Sequence, residues 1–468
     1  MNRLQARSRA LLLTVLLLSG CAVNSGDDKT IIAQSIRPVT EQALSQPITQ
    51  AEQAAVKDRV RQLLQQPLTL QQAIEIAILN NPSIQAELWS LGIAQADLQQ
   101  LSLMPNPGIK LTRSTGGDGS TELEFGLNLL ALITLPTVRD IALQDYQMAR
   151  IATAQRISKL IHETKLAYWQ AIAAQEVLAY VEKVQQATEA TAELAKRMAT
   201  TGNFNKLQFL REQRFLSDST LNLGLARQTQ VTSRQKLKQL LGLWQLHPEL
   251  TLPERLPELP QQLTPIAEVA QAGLNNRLDV QLASRQLSRL AATLQLTQRS
   301  RLVNVFEAEM ATELGNSDER SYSLIFELPI FDSGQHRVSR QQAQYQQAFM
   351  QATAVGIRAR SELQQSWYNY QAQYDIALHY QQTVLPLTQQ IADENQLLYN
   401  GMFISVFDLL ADARSQVSAV TNTIFSKRDY WMAKAELELA QIGTPDGDFS
   451  TSLFMQAAPQ ATEAKGGH

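Results

Sequence analysis

Five histidines, His162, His247, His336, His379 and His468, are the side chains best suited to hold zinc or copper. They are dispersed along the chain, with no HExxH spacing and no cysteine beside them, so they form no recognisable metal-binding pattern. The chain contains no GxSxG, no phosphate-cradling GxxxxGK[ST], and no carboxylate pair in a pocket-forming context. Hydrolysis, nucleotide chemistry and metal catalysis therefore lack machinery, and the sequence reads as a protein that is not an enzyme and uses no cofactor and no metal. Charged residues make up 18% of the 468, and the net charge is −3. That leaves no basic footprint for nucleic acid.

One residue offers chemistry of another kind. Cys21 is the only cysteine, so no disulfide can form within the chain. Arg3, Arg7 and Arg9 precede an apolar run, ALLLTVLLL, at 10–18. That run is too short to span a bilayer and has the form of a secretory signal. Leu18-Ser19-Gly20-Cys21 resembles the bacterial lipobox, in which the cysteine carries fatty acyl groups such as palmitate and becomes the first mature residue. Ala22 follows, where Asp is the usual retention signal, so the resemblance implies sorting to the outer membrane. An ordinary signal with a chance cysteine is the competing reading. Residues 1–20 are thus read as a signal peptide and 21–67 as an acylated, polar tether.

The next candidates are carboxylates spaced by two. In TELEFGLNLL (121–130), Leu123, Phe125, Leu127 and Leu129 alternate with Glu122, Glu124, Gly126 and Asn128. Further on, Phe306, Ala308, Met310 and Leu314 alternate with Glu307, Glu309, Ala311 and Glu313. Tyr322, Leu324, Phe326 and Leu328 alternate with Ser321, Ser323, Ile325 and Glu327. A period of two predicts strands with one apolar and one wet face. Ile109 to Arg113 makes a weaker strand and places Arg113 on the apolar side near its tip. Strands are expected at about 107–115, 121–130, 302–314 and 321–330. Each has the length that crosses an outer membrane when tilted. An open sheet cannot sit in lipid, and four strands cannot close around a channel, but twelve from three chains can. The apolar face then meets lipid and Glu122, Glu124, Glu307, Glu309 and Glu327 line water. A soluble sheet would need its apolar face covered by helices.

These strands belong to a frame that occurs twice, at 68–246 and 266–443, around a Pro-rich link at 247–265. A polar tail follows at 444–468. Asn80-Asn81 corresponds to Asn275-Asn276, Leu135-Pro136 to Leu328-Pro329, and Gly202 to Gly401. Each copy reads as a helix (69–101; 266–299), two strands, and a long helical hairpin (about 138–241; 335–441). Val177, Val181, Val184, Thr188, Thr191, Ala195 and Met198 predict a heptad seam, as do Ala377, Tyr380, Val384, Leu387, Ile391, Glu394 and Leu398. Pro386 predicts a bend in the second hairpin.

In this order, the chain resembles the TolC-like outer-membrane efflux proteins, in their lipoprotein branch. The resemblance rests on Met104-Pro105-Asn106-Pro107, on Glu327-Leu328-Pro329-Ile330-Phe331-Asp332-Ser333-Gly334, and on the Tyr399–Leu410 stretch YNGMFISVFDLL. It implies a mainly α fold with a small β part: a homotrimer in which four strands per chain complete a twelve-stranded outer-membrane barrel, continued by a helical tunnel through the periplasm. It implies tip turns at Gly202, Asn203, Phe204, Gly401, Met402 and Phe403. Those turns meet a periplasmic adaptor and an inner-membrane pump of the resistance-nodulation-division type. It also implies gate carboxylates just past the second tip. Asp408 and Asp412 are the nearest acids, one to two residues off the family spacing. An adaptor protein or a structural coiled-coil lipoprotein is the rival reading, though neither accounts for two hairpins with two strand pairs.

Overall fold

The computed structural model describes residues 28–42, 44–47, 49–115, 121–202, 204–243, 250–263, 276–314, 320–327, 329–404 and 406–445, without the side chains of 314 and 406–414. Helices α1 (Asp28–Ser35), α2 (Gln50–Leu63), α3 (Leu70–Asn80) and α4 (Pro82–Leu101) lead to strands β1 (Gly108–Arg113) and β2 (Thr121–Asn128). Helices α5 (Leu129–Thr200) and α6 (Lys206–Leu240) make the first hairpin. The second half runs α7 (Leu278–Arg299), β3 (Phe306–Leu314), β4 (Arg320–Phe326), α8 (Gln335–His379), a π turn (Tyr380–Val384), α9 (Leu385–Asn400) and α10 (Val406–Ala440). Among the described residues, no helix is long and apolar enough to cross a membrane.

Helix α5 has 72 residues and is about 108 Å long at 1.5 Å per residue. It starts at Leu129 rather than near 138, so β2 ends sooner than expected. The Asn128 side chain accepts from the Ala131 N–H and caps the helix at the strand's last residue. Pro136 consequently lies inside the helix. The first-copy helix expected at 69–101 is broken in two, because Asn81 caps α4 with Pro82 at its first position. The corresponding segment 264–275 lies outside the described residues.

The two copies close their frames in the same way, one residue away from the sequence match. In the first copy, Asn81 Nδ2 donates to the Leu240 carbonyl at 2.7 Å, and Asn80 Nδ2 to Leu241 and Gly242. These bonds satisfy the open carbonyls at the end of α6. Gly242 has φ +69°, and a side chain there would strike the Asn80 backbone. In the second copy it is Arg277, not Asn276, that occupies the cap position of Asn81. Its Nη1 donates to Ala440 at 3.1 Å, while the Leu278 N–H donates to Ile442 at 2.7 Å. Arg277 is fully buried, held by Asp279 at 2.7 Å and Glu362 at 2.6 Å. Burial opposes its charge, but the bonds to the two carboxylates outweigh it, and its pKa is raised.

The Pro-rich link is a packed strap. Leu250, Leu252 and Leu256 are buried in the core with Tyr168, Trp169 and Leu237. Tyr374 donates to the Pro260 carbonyl, Trp431 to that of Pro257, and Lys427 pairs with Glu258 at 2.9 Å. The segment after residue 27, expected as a polar tether with some helical content, is docked too. Ile32, Ile36 and Val39 are buried with Ile157 and Ile161 of α5. Tyr146 donates to Asp28, and Lys165 Nζ reaches the Val39 carbonyl and Glu438.

The seam of α5 follows its heptads: Val177, Val181, Thr188 and Ala195 are buried. The second seam does not. Beyond the π turn, Leu387 and Ile391 are 51% and 52% exposed, while Thr388, Ala392 and Asn395 are half-buried. The Leu385 N–H reaches back five residues to Tyr380. That extra residue rotates the following face by about 100°. It also sits where Pro386 withholds an N–H and crowds the carbonyl four residues earlier. Where a bend was expected at Pro386, the structure shows this widened turn.

Candidate functional site

The four strands form one antiparallel sheet in the order β1-β2-β3-β4. Its register carries the period-two pattern of each strand across the whole sheet. Ile109 pairs with Phe125, Phe125 with Met310, and Met310 with Tyr322. Leu111, Leu123, Thr312 and Arg320 form the next row, and Leu127, Ala308 and Leu324 another. One face is therefore mostly apolar, with Thr312 and Arg320 in the row of Leu111 and Leu123. It is also uncovered: Ile109 and Leu111 are each 66% exposed, and Phe326 is 60% exposed. A concavity of about 510 Å³ lined by Leu130, Ile133, Leu296, Val303, Phe306 and Phe326 extends it toward the helices.

The opposite face is acidic. Glu122, Glu124, Glu307, Glu309 and Glu313 project from it, and Glu327 continues it past β4, its N–H donating to Val305. Lys110 was not singled out in the sequence, although it shares parity with this face. It bonds Glu124 at 2.9 Å. Asn128 donates to Glu307 at 3.3 Å, and Ser323 to Glu309 at 3.2 Å. Asn106, Lys110, Glu124, Asn128, Glu307 and Glu309 line a concavity of about 330 Å³. Such a surface attracts cations and repels anions.

The outer strands β1 and β4 each keep one unpaired edge. An edge with an apolar face cannot rest in lipid alone, because its backbone groups would have no partner.

The helical tips lie at the other end of the hairpins. Gly202 has φ +79° and Phe204 is buried; Asn203 lies outside the described residues. The second tip differs from its sequence match. There the left-handed residue is Met402, at φ 58°, and not Gly401. A Cβ on Gly401 would stand 2.7 Å from the exposed Phe403 ring, which would have to turn away. Met402 is 92% and Phe403 81% exposed. Asp408 and Asp412 fall in α10, with side chains outside the description, and Cys21 lies outside the described residues. Among the described residues, no group of His, Cys, Asp or Glu could hold a metal ion.

Residues 73–243 match the outer membrane efflux protein family, a match that spans the first copy of the frame. That match covers 171 of the 468 residues. The fold agrees over most of the chain. The structure of the outer membrane channel CmeC of Campylobacter jejuni is similar at a TM-score of 0.64 and 14% identity, covering 89% of this chain and 93% of that one. The open-state outer membrane channel MtrE of Neisseria gonorrhoeae is similar at 0.64 and 17%, covering 82% and 91%. A membrane protein of Pseudomonas aeruginosa is similar at 0.67 and 17%, covering 80% and 93%. No curated protein matches the sequence.

Proposed function

We propose that three copies of this chain close their sheets into one twelve-stranded barrel and conduct substrates passively out of the cell for an inner-membrane transporter. The observation that carries this reading is the sheet: one face mostly apolar and bare, the other acidic, with an unpaired edge on each side. Closure joins β4 of one protomer to β1 of the next and removes every edge. Lipid then covers the apolar face, while Glu122, Glu124, Glu307, Glu309 and Glu327 surround water. A plain coiled-coil lipoprotein or an adaptor has no use for such a sheet. The pump partner is of the resistance-nodulation-division type on the resemblance noted above. Met402 and Phe403 hold apolar surface in water on a strained backbone, which fits a docking point for the adaptor.

Asp408 and Asp412, one turn apart in α10, are proposed as the gate carboxylates. Three-fold symmetry makes each a ring of three charges. The test is the purified trimer in planar bilayers. It should conduct, prefer cations, and lose part of that preference in Asp408→Asn/Asp412→Asn. A protein that runs as a monomer and conducts nothing would refute the channel; unaltered selectivity in the variant would remove these two residues from the gate. In the same preparation its adaptor should bind the wild type and not Phe403→Ser.

Cys21 is proposed as the lipid attachment site. Palmitate fed to cells should label the wild type and leave Cys21→Ala unlabelled. The variant should still assemble, because the barrel itself would hold it in the membrane. Equal labelling of both would end the lipoprotein reading.

A further inference from the structure

Two arginines interrupt the apolar face. Arg113 ends β1 and Arg320 opens β4, so both stand at the same end of the sheet, where the hairpins turn. The register puts them on the apolar side: Arg113 pairs with Thr121, and Arg320 with Thr312, in the row of Leu111 and Leu123. Both are exposed. Glu122 and Glu313, at the same height, share the opposite parity and project from the other face. Tyr322 lies one pleat below Arg320 on the apolar side and is 75% exposed. A tyrosine beneath an arginine at the end of an apolar band is the arrangement of a membrane–water interface. In the lone chain the arginines occupy the two outermost strands. Closing the barrel makes those strands neighbours, about 4.8 Å apart.

We propose that Arg320 of each protomer and Arg113 of the next form a seat for the phosphate-bearing headgroup of an outer-leaflet lipid, one at each of the three seams of the barrel. The inference rests on the barrel reading above. Guanidinium groups bind phosphate through paired N–H donors. The lipid's chains would lie along Ile109, Tyr322 and Leu324, on the two strands of the seam below the arginines. A free phosphate ion has the same charge but no chains, so it gains nothing from that apolar surface.

The experiment uses the full-length trimer, reconstituted in phosphatidylcholine vesicles containing a fifth phosphatidylglycerol, then extracted in mild detergent and analysed for retained lipid by native mass spectrometry. The wild type should retain the anionic lipid in excess of its share. A basic residue near an anionic surface is worth about fivefold in binding, so Arg113→Gln/Arg320→Gln should lower retention at least that much. Lys110→Gln, which removes a cation from the acidic face of the same strand, should not. Inorganic phosphate at millimolar concentration should not displace the lipid. Full retention in the double variant, equal loss in Lys110→Gln, or displacement by inorganic phosphate would each overturn the proposal. Should the double variant not assemble, wild-type retention at 0.1 and 1 M salt decides: retention that salt leaves unchanged rejects an electrostatic seat. A wild-type chain that forms no trimer takes the channel reading down as well, whereas a sound trimer without lipid enrichment sinks only this proposal.

Discussion

Phe125→Arg is expected to abolish the outer-membrane trimer. Phe125 stands mid-row on the apolar face between Ile109 and Met310. Arginine at the middle of a lipid-facing barrel surface costs about 2–4 kcal/mol, and three-fold symmetry imposes that cost three times on one barrel. Heat-unmodified trimer in outer-membrane fractions should fall by more than tenfold. The paired control is Ser323→Arg. Ser323 lies on the acidic face and already bonds Glu309, so an arginine there gains a carboxylate partner in water. That variant should assemble normally and conduct with weakened cation preference. Normal assembly of Phe125→Arg would mean that something other than lipid faces this surface.

The second large effect is expected at Arg277. Arg277→Met keeps much of the volume but strands Asp279 and Glu362, whose side chains are only 15% and 18% exposed. It also reopens the Ala440 and Ala359 carbonyls. Removing one partner of a buried ion cluster costs about 3–5 kcal/mol, enough to collapse the yield of folded protein. The cause can be isolated. Adding Glu362→Gln removes one of the stranded charges and should restore part of the thermal stability. Arg277→Lys keeps a charge but lacks the fork, and should fall in between. If Glu362→Gln rescued nothing, lost packing rather than stranded charge would be the reason.

The strands were readable because each of their faces meets a different solvent, so alternation survives in every one of them. Pairing was not readable. Nothing local states that Phe125 lies opposite Met310, since β2 and β3 are far apart in the chain. Arg320 could have been found from parity alone, being two residues before Tyr322. The second heptad pattern runs straight through Pro386 because a sequence pattern carries no sign of a five-residue turn. One inserted residue was enough to move Leu387 and Ile391 outward. The Asn-Asn match failed at Arg277 for a related reason: the second copy is one residue longer there, and a guanidinium does the work of an amide. At the second tip, glycine drew attention to Gly401, while the backbone strain sits on Met402. The docking of the N-terminal segment did leave a signal, since Ile32, Ile36 and Val39 step by four and three. Its polar surroundings hid the pattern.

That docked segment sets a length. Tyr146, which holds Asp28, lies 17 residues beyond Leu129, the point where strand becomes helix. Along a helix this is a drop of about 25 Å. From Asp28 back to Cys21 there are seven residues, which span about 24 Å at full stretch. An acyl group on Cys21 would therefore reach the level of the barrel's inner rim with almost no slack. With Cys21 acylated as proposed, the segment from Cys21 to Asp28 would act as a plumb line: it would set the depth at which the cylinder hangs from the inner leaflet, and three such lines of equal length would hold it upright.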